Sequence, residues 1–150
     1  MNLSENLTLA EVIRSESAKR FQIDNKPTEE HLANLKLLAA NIFQPMRDHF
    51  GVPIHISSGY RSLALNKKIG GALNSQHSTG QALDIDMQGT NVTNADIFNW
   101  AKDNLKFDQL IWEFGDDSNP DWVHISYAKK PRKQILKAKR NGLQTVYSKY

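Results

Sequence analysis

Two side chains that could bind a metal ion, His77 and Asp84, stand where a loop passes into a predicted β-strand. Small and polar residues surround His77, Gly80 permits a turn, and residues 82–87 then alternate between apolar and mostly acidic. Successive side chains of a strand point to opposite faces of the sheet, so the apolar residues enter a core while Asp84 faces the other way. The imidazole and the carboxylate therefore reach one surface, where they would form half of a metal site.

His124 is the best candidate for a third ligand. It alternates with apolar residues in a predicted strand at 122–127, and therefore leaves the core face as Asp84 does. Together with His77, these side chains would make a three-ligand set that leaves zinc an open fourth position for water, which is the catalytic arrangement. The chain contains no cysteine, so histidines and carboxylates must hold any zinc. Spacing alone leaves another interpretation open, in which these histidines are ordinary surface or hydrogen-bonded residues.

Other histidines and acids near this pattern are weaker candidates. Asp86 shares a strand face with Asp84, and it could be the ligand instead or could orient a histidine. His55 alternates out of a strand near the predicted site. His31 and His49 lie on the polar side of a helical pattern, where we expect them at the surface.

Hydrophobic periodicity and capping residues predict the elements that must position these side chains. Helices are predicted at 7–21, 28–50, 63–69 and 94–105, with Pro45 kinking the second of them. Strands are predicted at 54–58, 82–87, 109–114 and 122–127, and a basic helix is predicted after Pro131. Helices that precede and interrupt a few strands favour an α+β fold with a small, mainly antiparallel sheet.

Length and composition favour one globular domain. The chain has 150 residues, of which 39 % are hydrophobic and 23 % are charged. No run of about 18 apolar residues predicts a membrane span. The first residues lack the basic and apolar segments of a secretory signal, so we expect synthesis in the cytoplasm.

The net charge of +3 is unevenly distributed along the chain. Residues 129–150 contain eight lysines and arginines and no acidic residue. Such a segment could contact an anionic polymer such as a cell-wall teichoic acid, a nucleic acid or a lipid surface. A solvated basic terminus is the simpler interpretation.

Three ordered motifs resemble those of the zinc D-Ala-D-Ala peptidase family. The first matches the family signature Ser-x-His-x-x-Gly-x-Ala-x-Asp at Ser75, His77, Gly80, Ala82 and Asp84. The second is an acidic residue three positions before a histidine, matched by Asp121 and His124. The third, residues 57–62, is similar to the family segment that carries a substrate-facing arginine. The motifs span residues 54–127, about half the chain.

The resemblance implies a fold like that of the hedgehog domain and the D-Ala-D-Ala peptidases. It implies Zn²⁺ bound by the two motif histidines and Asp84, with Asp121 as the catalytic general base and Arg61 as a substrate-binding residue. Many members have glutamate where this chain has Asp121, and we expect this aspartate at a loop end, turned back toward the metal. Glu113 is an alternative acid if its strand reaches the metal. Trp112 and Trp122 could wall the cleft, although core packing is an equal alternative.

The implied function is zinc-dependent hydrolysis of peptide bonds in peptidoglycan stem peptides. The family contains D-Ala-D-Ala carboxypeptidases and phage L-alanyl-D-glutamate endopeptidases, so we expect either a carboxypeptidase or an endolysin that acts on the cell wall, released by a phage or prophage lysis route. Residues 1–128 would form the peptidase domain, and residues 129–150 a basic C-terminal extension of it. An alternative is a non-catalytic, zinc-stabilised wall-binding module on the same scaffold. No sequence motif supports a specific nucleic-acid partner.

Overall fold

A computed structural model describes every residue from Met1 to Tyr150, and it shows an α+β fold built on a six-stranded sheet. The order of strands across this sheet is β3-β4-β6-β5-β7-β8. All neighbouring strands are antiparallel except β5 and β7, so the predicted α+β class and mainly antiparallel sheet are confirmed. The six strands are β3 (Ile56–Ser58), β4 (Ala82–Ile85), β5 (Gln109–Glu113), β6 (Trp122–Ser126), β7 (Gln134–Asn141) and β8 (Gln144–Lys149).

Helices cover one face of this sheet and leave the other face to the site. The helices are α1 (Leu9–Ile13), α2 (Glu16–Arg20), α3 (Glu29–Leu38), α4 (Gln44–Phe50), α5 (Leu63–Lys68) and α6 (Asn94–Asn104). Leu83, Ile85, Val123 and Ile125 are fully buried in the core, as their alternation in the sequence predicts. None of the helices has the length and hydrophobicity needed to cross a bilayer.

The single N-terminal helix predicted at 7–21 is wrong. Leu7–Thr8 forms strand β2, which pairs with β1 (Asn2–Ser4), and two short helices follow. Thr8 caps α1 as part of a capping box, whereas Ser15 accepts a hydrogen bond from the Ala18 N–H and starts α2. The second capping residue interrupts a periodic pattern that otherwise reads as one helix.

The long helical segment at 28–50 also differs in detail from a helix kinked at proline. Thr28 caps α3 as expected, and a π-helical turn at Ala39–Phe43 then joins α3 to α4. Pro45 closely follows this turn in a helical rod that continues without a break, since Phe43 and Gln44 both have right-handed helical φ and ψ angles. The π-turn lies beside the position where proline lacks an N–H for the helix. The irregularity therefore precedes the proline.

The basic helix predicted after Pro131 is wrong as well. Residues 134–149 form the β7–β8 hairpin, and β7 continues the sheet beside β5. Gly142 and Leu143 form the two-residue turn between the paired Asn141 and Gln144, with Gly142 in the left-handed region at a φ of 64°. A glycine at the first position of a two-residue turn between two alternating segments is a hairpin signal, and it outweighs the helical propensity of the lysines.

Candidate metal centre and its cleft

The structure brings His77, Asp84 and His124 together. One donor atom from each residue lies within 4.8 Å of the other two. Asp84 Oδ1 is 3.2 Å from His77 Nε2 and 3.1 Å from His124 Nδ1. Asp84 and His124 are direct cross-strand partners on β4 and β6, as their shared face predicted.

A short 3₁₀ helix, Gln76–Thr79, delivers His77 to this cluster. Ser75 caps its start, and Gly80 ends it in the left-handed region at a φ of 75°. The His77 ring is 2 % exposed, and its Nδ1 lies 2.7 Å from the Gly59 carbonyl oxygen. Because that carbonyl can only accept, Nδ1 carries a proton, which leaves Nε2 as the ring nitrogen that would bind a metal.

The electrostatics of the cluster favour an ionised carboxylate. Burial opposes ionisation of Asp84, but the facing imidazoles of His77 and His124 hold its pKa well below the usual range. A carboxylate and two neutral imidazoles are the donor set that zinc accepts. Ligand atoms about 2.1 Å from a tetrahedral zinc lie about 3.4 Å apart, close to the two separations measured here. The three residues therefore fit a zinc ion.

Glu113 lies in the same cleft as the three donors. On β5 it is two residues from Ile111, the cross-strand partner of His124, and therefore shares the face of that histidine. Its side chain is buried, which raises its pKa to about 7, while His124 lowers the pKa and Asp84 raises it further. A carboxyl group with such a pKa can accept and return a proton near neutral pH.

Asp121 does not join this cluster. It is exposed immediately before β6, and its backbone N–H donates to the Glu113 carbonyl oxygen over 2.9 Å. Its side chain lines a neighbouring recess together with Asp116, Lys137 and Lys139. Asp121 therefore lines that recess and not the cleft of the three donors, whereas the sequence predicted that it turns back toward the metal.

Arg61 lines the cleft beside the metal ligands. Its backbone N–H donates to the His77 carbonyl oxygen over 3.1 Å. Its buried Nε has no hydrogen-bond partner, and no acidic side chain lies within ion-pair distance of it. Burial lowers the pKa of the guanidinium, whereas the nearby Asp84 raises it. A buried Nε donor without a partner is costly unless a ligand supplies one.

The remaining candidates have other partners. The Asp86 carboxylate accepts a hydrogen bond from Asn94, and His55 contacts the Asp86 backbone carbonyl.

The two histidines of the helical segment are not equally exposed. His31 is half-buried and contacts the Tyr60 hydroxyl, so its predicted exposure is only partial. His49 is exposed and stacks on Trp100.

The cleft that contains the donors has a volume of about 1010 Å³. Trp122 lines it, whereas Trp112 lies on the opposite face of β5 in the core, so only one of the two tryptophans is a wall residue. Arg140 and Tyr147 of the hairpin also line it, and sequence reasoning missed both. The glycine between two alternating segments, Gly142, was the signal that could have placed them on a sheet.

An open cleft with a His/Asp/His donor set and a buried glutamate defines a metallohydrolase site. The family model described as peptidase M15 matches residues 5–126, and the chain therefore belongs to this family. Its members are zinc-dependent metallopeptidases, which agrees with the cluster of three donors. No curated protein matches the chain significantly.

Proposed function

We propose that the protein is a zinc peptidase that hydrolyses peptide bonds in peptidoglycan stem peptides, as a D-Ala-D-Ala carboxypeptidase or an L-alanyl-D-glutamate endopeptidase. The observation that carries the proposal is the convergence of His77, Asp84 and His124 in a cleft open to a peptide. Family membership supports the peptidase class. The motifs shared with the D-Ala-D-Ala peptidases support the substrate class.

The chain's own residues would prepare the metal site. His77 would present Nε2 because Nδ1 donates to the Gly59 carbonyl, and Asp84 would supply negative charge beside the two histidines. A zinc ion bound there would polarise the scissile carbonyl and lower the pKa of a water molecule.

Glu113 would act as the general base and then as the general acid. It is buried in the cleft on the His124 face, so its carboxylate can take a proton from the attacking water and give it to the leaving amine. Asp121, the base implied by the sequence resemblance, is the competing candidate, and it would need the loop before β6 to move.

Arg61 would bind the substrate. Its unpartnered Nε and the absence of an acidic partner leave donors for a peptide carbonyl or carboxylate beside the metal ligands. Such a contact would both orient the peptide and support the negative charge that develops on the carbonyl oxygen.

The test is digestion of purified sacculi by zinc-loaded protein, with mass spectrometry of the new termini. Release of D-alanine would identify a carboxypeptidase, and a new amino terminus at D-glutamate would identify the endopeptidase. We expect Glu113→Gln to lower kcat at least about 100-fold, with zinc content unchanged. Asp121→Asn is the matched variant, and we expect it to stay within about threefold of wild type, because an exposed side chain outside the cleft contributes little.

Two outcomes would contradict these statements. If wild-type protein with bound zinc released nothing from sacculi of several wall types, the peptidase proposal would fail, and a non-catalytic wall-binding module would take its place. If Asp121→Asn abolished release and Glu113→Gln did not, the base would be Asp121.

A further inference from the structure

The β7–β8 hairpin is part of the cleft although it lies outside the residues that match the family. The match ends at residue 126, and the hairpin begins at Gln134. Leu136, Arg140, Thr145 and Tyr147 nevertheless line the same cleft as the three metal-binding residues. This wall is therefore a feature of this chain that family membership does not explain.

The strand register aligns the cleft-facing side chains of the hairpin with those of β5 and β6, so that they form rows across the sheet. Ile111 pairs with His124 on one side and Leu136 on the other, while Glu113 pairs with Ala138. Ala138 in turn pairs with Tyr147 on β8. Paired residues share a face, so the alternate residues of β7 and β8 continue the floor that carries Glu113.

Tyr147 shows that the hairpin and the site share one electrostatic environment. The residue between it and Glu113 is the small, fully buried Ala138, which leaves room for the phenol ring above it. Partial burial raises the pKa of the Tyr147 hydroxyl, and the negative charges of Glu113 and Asp84 raise it further. The hydroxyl therefore stays protonated and faces the cleft as a hydrogen-bond donor.

Arg140 is the cation of this wall that lacks a protein partner. The Arg132 guanidinium is held by Asp108, and Lys137 Nζ lies 2.7 Å from Asp117 Oδ1. Arg140 has no acidic side chain within ion-pair distance, and its guanidinium carbon lies 4.5 Å from the centre of the Phe114 ring. Stacking on an aromatic ring fixes the plane of the guanidinium and leaves its edge free for a carboxylate.

Arg61 and Arg140 lie on opposite sides of the metal ligands. Arg61 follows β3, at one edge of the sheet, while β7 lies two strands beyond the His124 strand, about 10 Å across the sheet. Arg140 is also further along β7 than Ala138, the partner of Glu113. An extended peptide advances about 3.3 Å per residue, so Arg140 would meet a group several residues from the scissile bond.

We propose that the β7–β8 hairpin is a substrate-recognition wall, and that Arg140 binds a second carboxylate of an acidic peptide, several residues from the scissile bond. This inference rests on the proposed function and narrows its substrate to peptides with carboxylates on both sides of the metal ligands. A stem peptide cleaved at its D-Ala-D-Ala bond meets this condition, with the α-carboxylate of its γ-linked D-glutamate on one side of that bond and its C-terminal carboxylate on the other.

The test is a double-mutant cycle in which the Arg140 side chain is changed in the protein and one carboxylate is amidated in a synthetic peptide. The probes are L-Ala-γ-D-Glu-L-Lys-D-Ala-D-Ala and two forms of it, one amidated at the D-glutamate α-carboxylate and one at the C-terminus. We expect amidation of the D-glutamate α-carboxylate, which is the one several residues from the D-Ala-D-Ala bond, to raise KM about tenfold with wild-type protein, since a charge-assisted hydrogen bond at a partly exposed site is lost. In Arg140→Gln the same amidation should change KM less than twofold, with kcat preserved.

Lys139→Gln is the matched control. It removes the same charge from the adjacent residue of β7, whose side chain points to the opposite face, and it should keep the tenfold amidation effect. Calorimetric titration of the three peptides into the zinc-loaded Glu113→Gln protein, with and without Arg140→Gln, gives the same comparison from equilibrium affinities. The inference is overturned if Arg140→Gln affects all three peptides equally or none of them, or if Lys139→Gln has the same effect.

Failure of the inference is distinguishable from failure of the proposed function. If wild-type protein cleaves the peptides but does not discriminate the amidated forms, only the role of Arg140 falls. If wild-type protein neither binds nor cleaves any of these peptides and releases nothing from sacculi, the proposed function and this inference fall together.

Discussion

At the scale of single residues, side chains outside the proposed reaction fix the positions of the side chains that would take part in it. Asp108 is buried, and its carboxylate accepts hydrogen bonds from the Arg132 guanidinium and from Gln76 Nε2, over 2.8 Å and 2.9 Å. Gln76 is the residue before the metal-binding His77. Asp108 therefore ties the segment that enters the hairpin to the turn that carries a metal ligand.

The ionised Asp108 carboxylate should make stability depend on pH. Hydrogen bonds from Arg132 lower the pKa of Asp108 to about 2, so its contribution is present above the unfolded pKa near 4 and is lost as pH falls toward 2. We expect Asp108→Asn to lower the free energy of unfolding by about 2 kcal/mol at pH 7. Urea denaturation at fixed zinc concentration measures the difference.

The difference between wild type and Asp108→Asn should shrink as pH falls from about 4 to about 2. Comparing the two proteins at each pH removes the common effect of protonating the metal ligands. A difference that stayed constant down to pH 2 would contradict the assigned role of the ionised carboxylate.

At the scale of elements, the short 3₁₀ helix that carries His77 depends on a close contact with α3. Gly80 ends this helix with a φ of 75°, and a Cβ built there would lie 2.5 Å from the His31 carbonyl oxygen. Gly89 has a similar φ of 69° but has nothing within 4 Å of such a Cβ. The two glycines therefore separate backbone strain from a steric clash.

Alanine substitutions at these two glycines should have unequal effects. Gly89→Ala should cost about 1 kcal/mol because an L-residue is strained in the left-handed region. Gly80→Ala should cost about 3 kcal/mol, since the clash with backbone adds to that strain. It should also weaken zinc binding, because His77 lies on the displaced turn. Thermal unfolding and zinc titration measure both effects, and equal effects at the two sites would contradict the clash.

The β7–β8 hairpin packs against the core through residues at both of its ends. Tyr150, just after β8, packs against Phe98 and Trp112, with ring centroids 4.7 Å and 6.0 Å apart. Ile135 of β7 also packs against the core. The basic terminal segment is therefore attached to the fold by apolar contacts on one face, while its other face belongs to the cleft.

At the scale of the whole molecule, the metal would join parts of the chain that are distant in sequence. Its three ligands come from the 3₁₀ helix, β4 and β6. Ligands that converge only in the folded state make metal binding a contribution to folding stability.

Removal of zinc by a chelator should therefore lower the melting temperature. At free zinc 100- to 1,000-fold above its Kd, binding adds about 3 to 4 kcal/mol, which corresponds to about 10 °C for a chain of this size. Calorimetry with and without chelator measures the shift, and neither His77→Ala nor His124→Ala should show it. A shift that persisted in both variants would mean that the stabilising metal is bound elsewhere.

The sequence by itself determined the three candidate metal ligands and the class of fold. His77, Asp84 and His124 could be predicted because strand alternation is a local rule: each side chain's face follows from its apolar neighbours. The caps at Thr8 and Thr28 were predictable for the same reason, since a capping residue contacts only the next turn.

Only the tertiary structure decided which acidic side chain enters the cleft and which strands line the side of the cleft opposite Arg61. Glu113 reaches the site because β5 pairs with β6, and the hairpin reaches it because β7 pairs with β5 in parallel. Such pairings join residues far apart in the chain, and no local period encodes them. Asp121 satisfied the spacing of a motif, but the loop that holds it faces a neighbouring recess. Local patterns thus identified the candidate metal ligands, whereas strand order determined which other side chains lie beside them in the cleft.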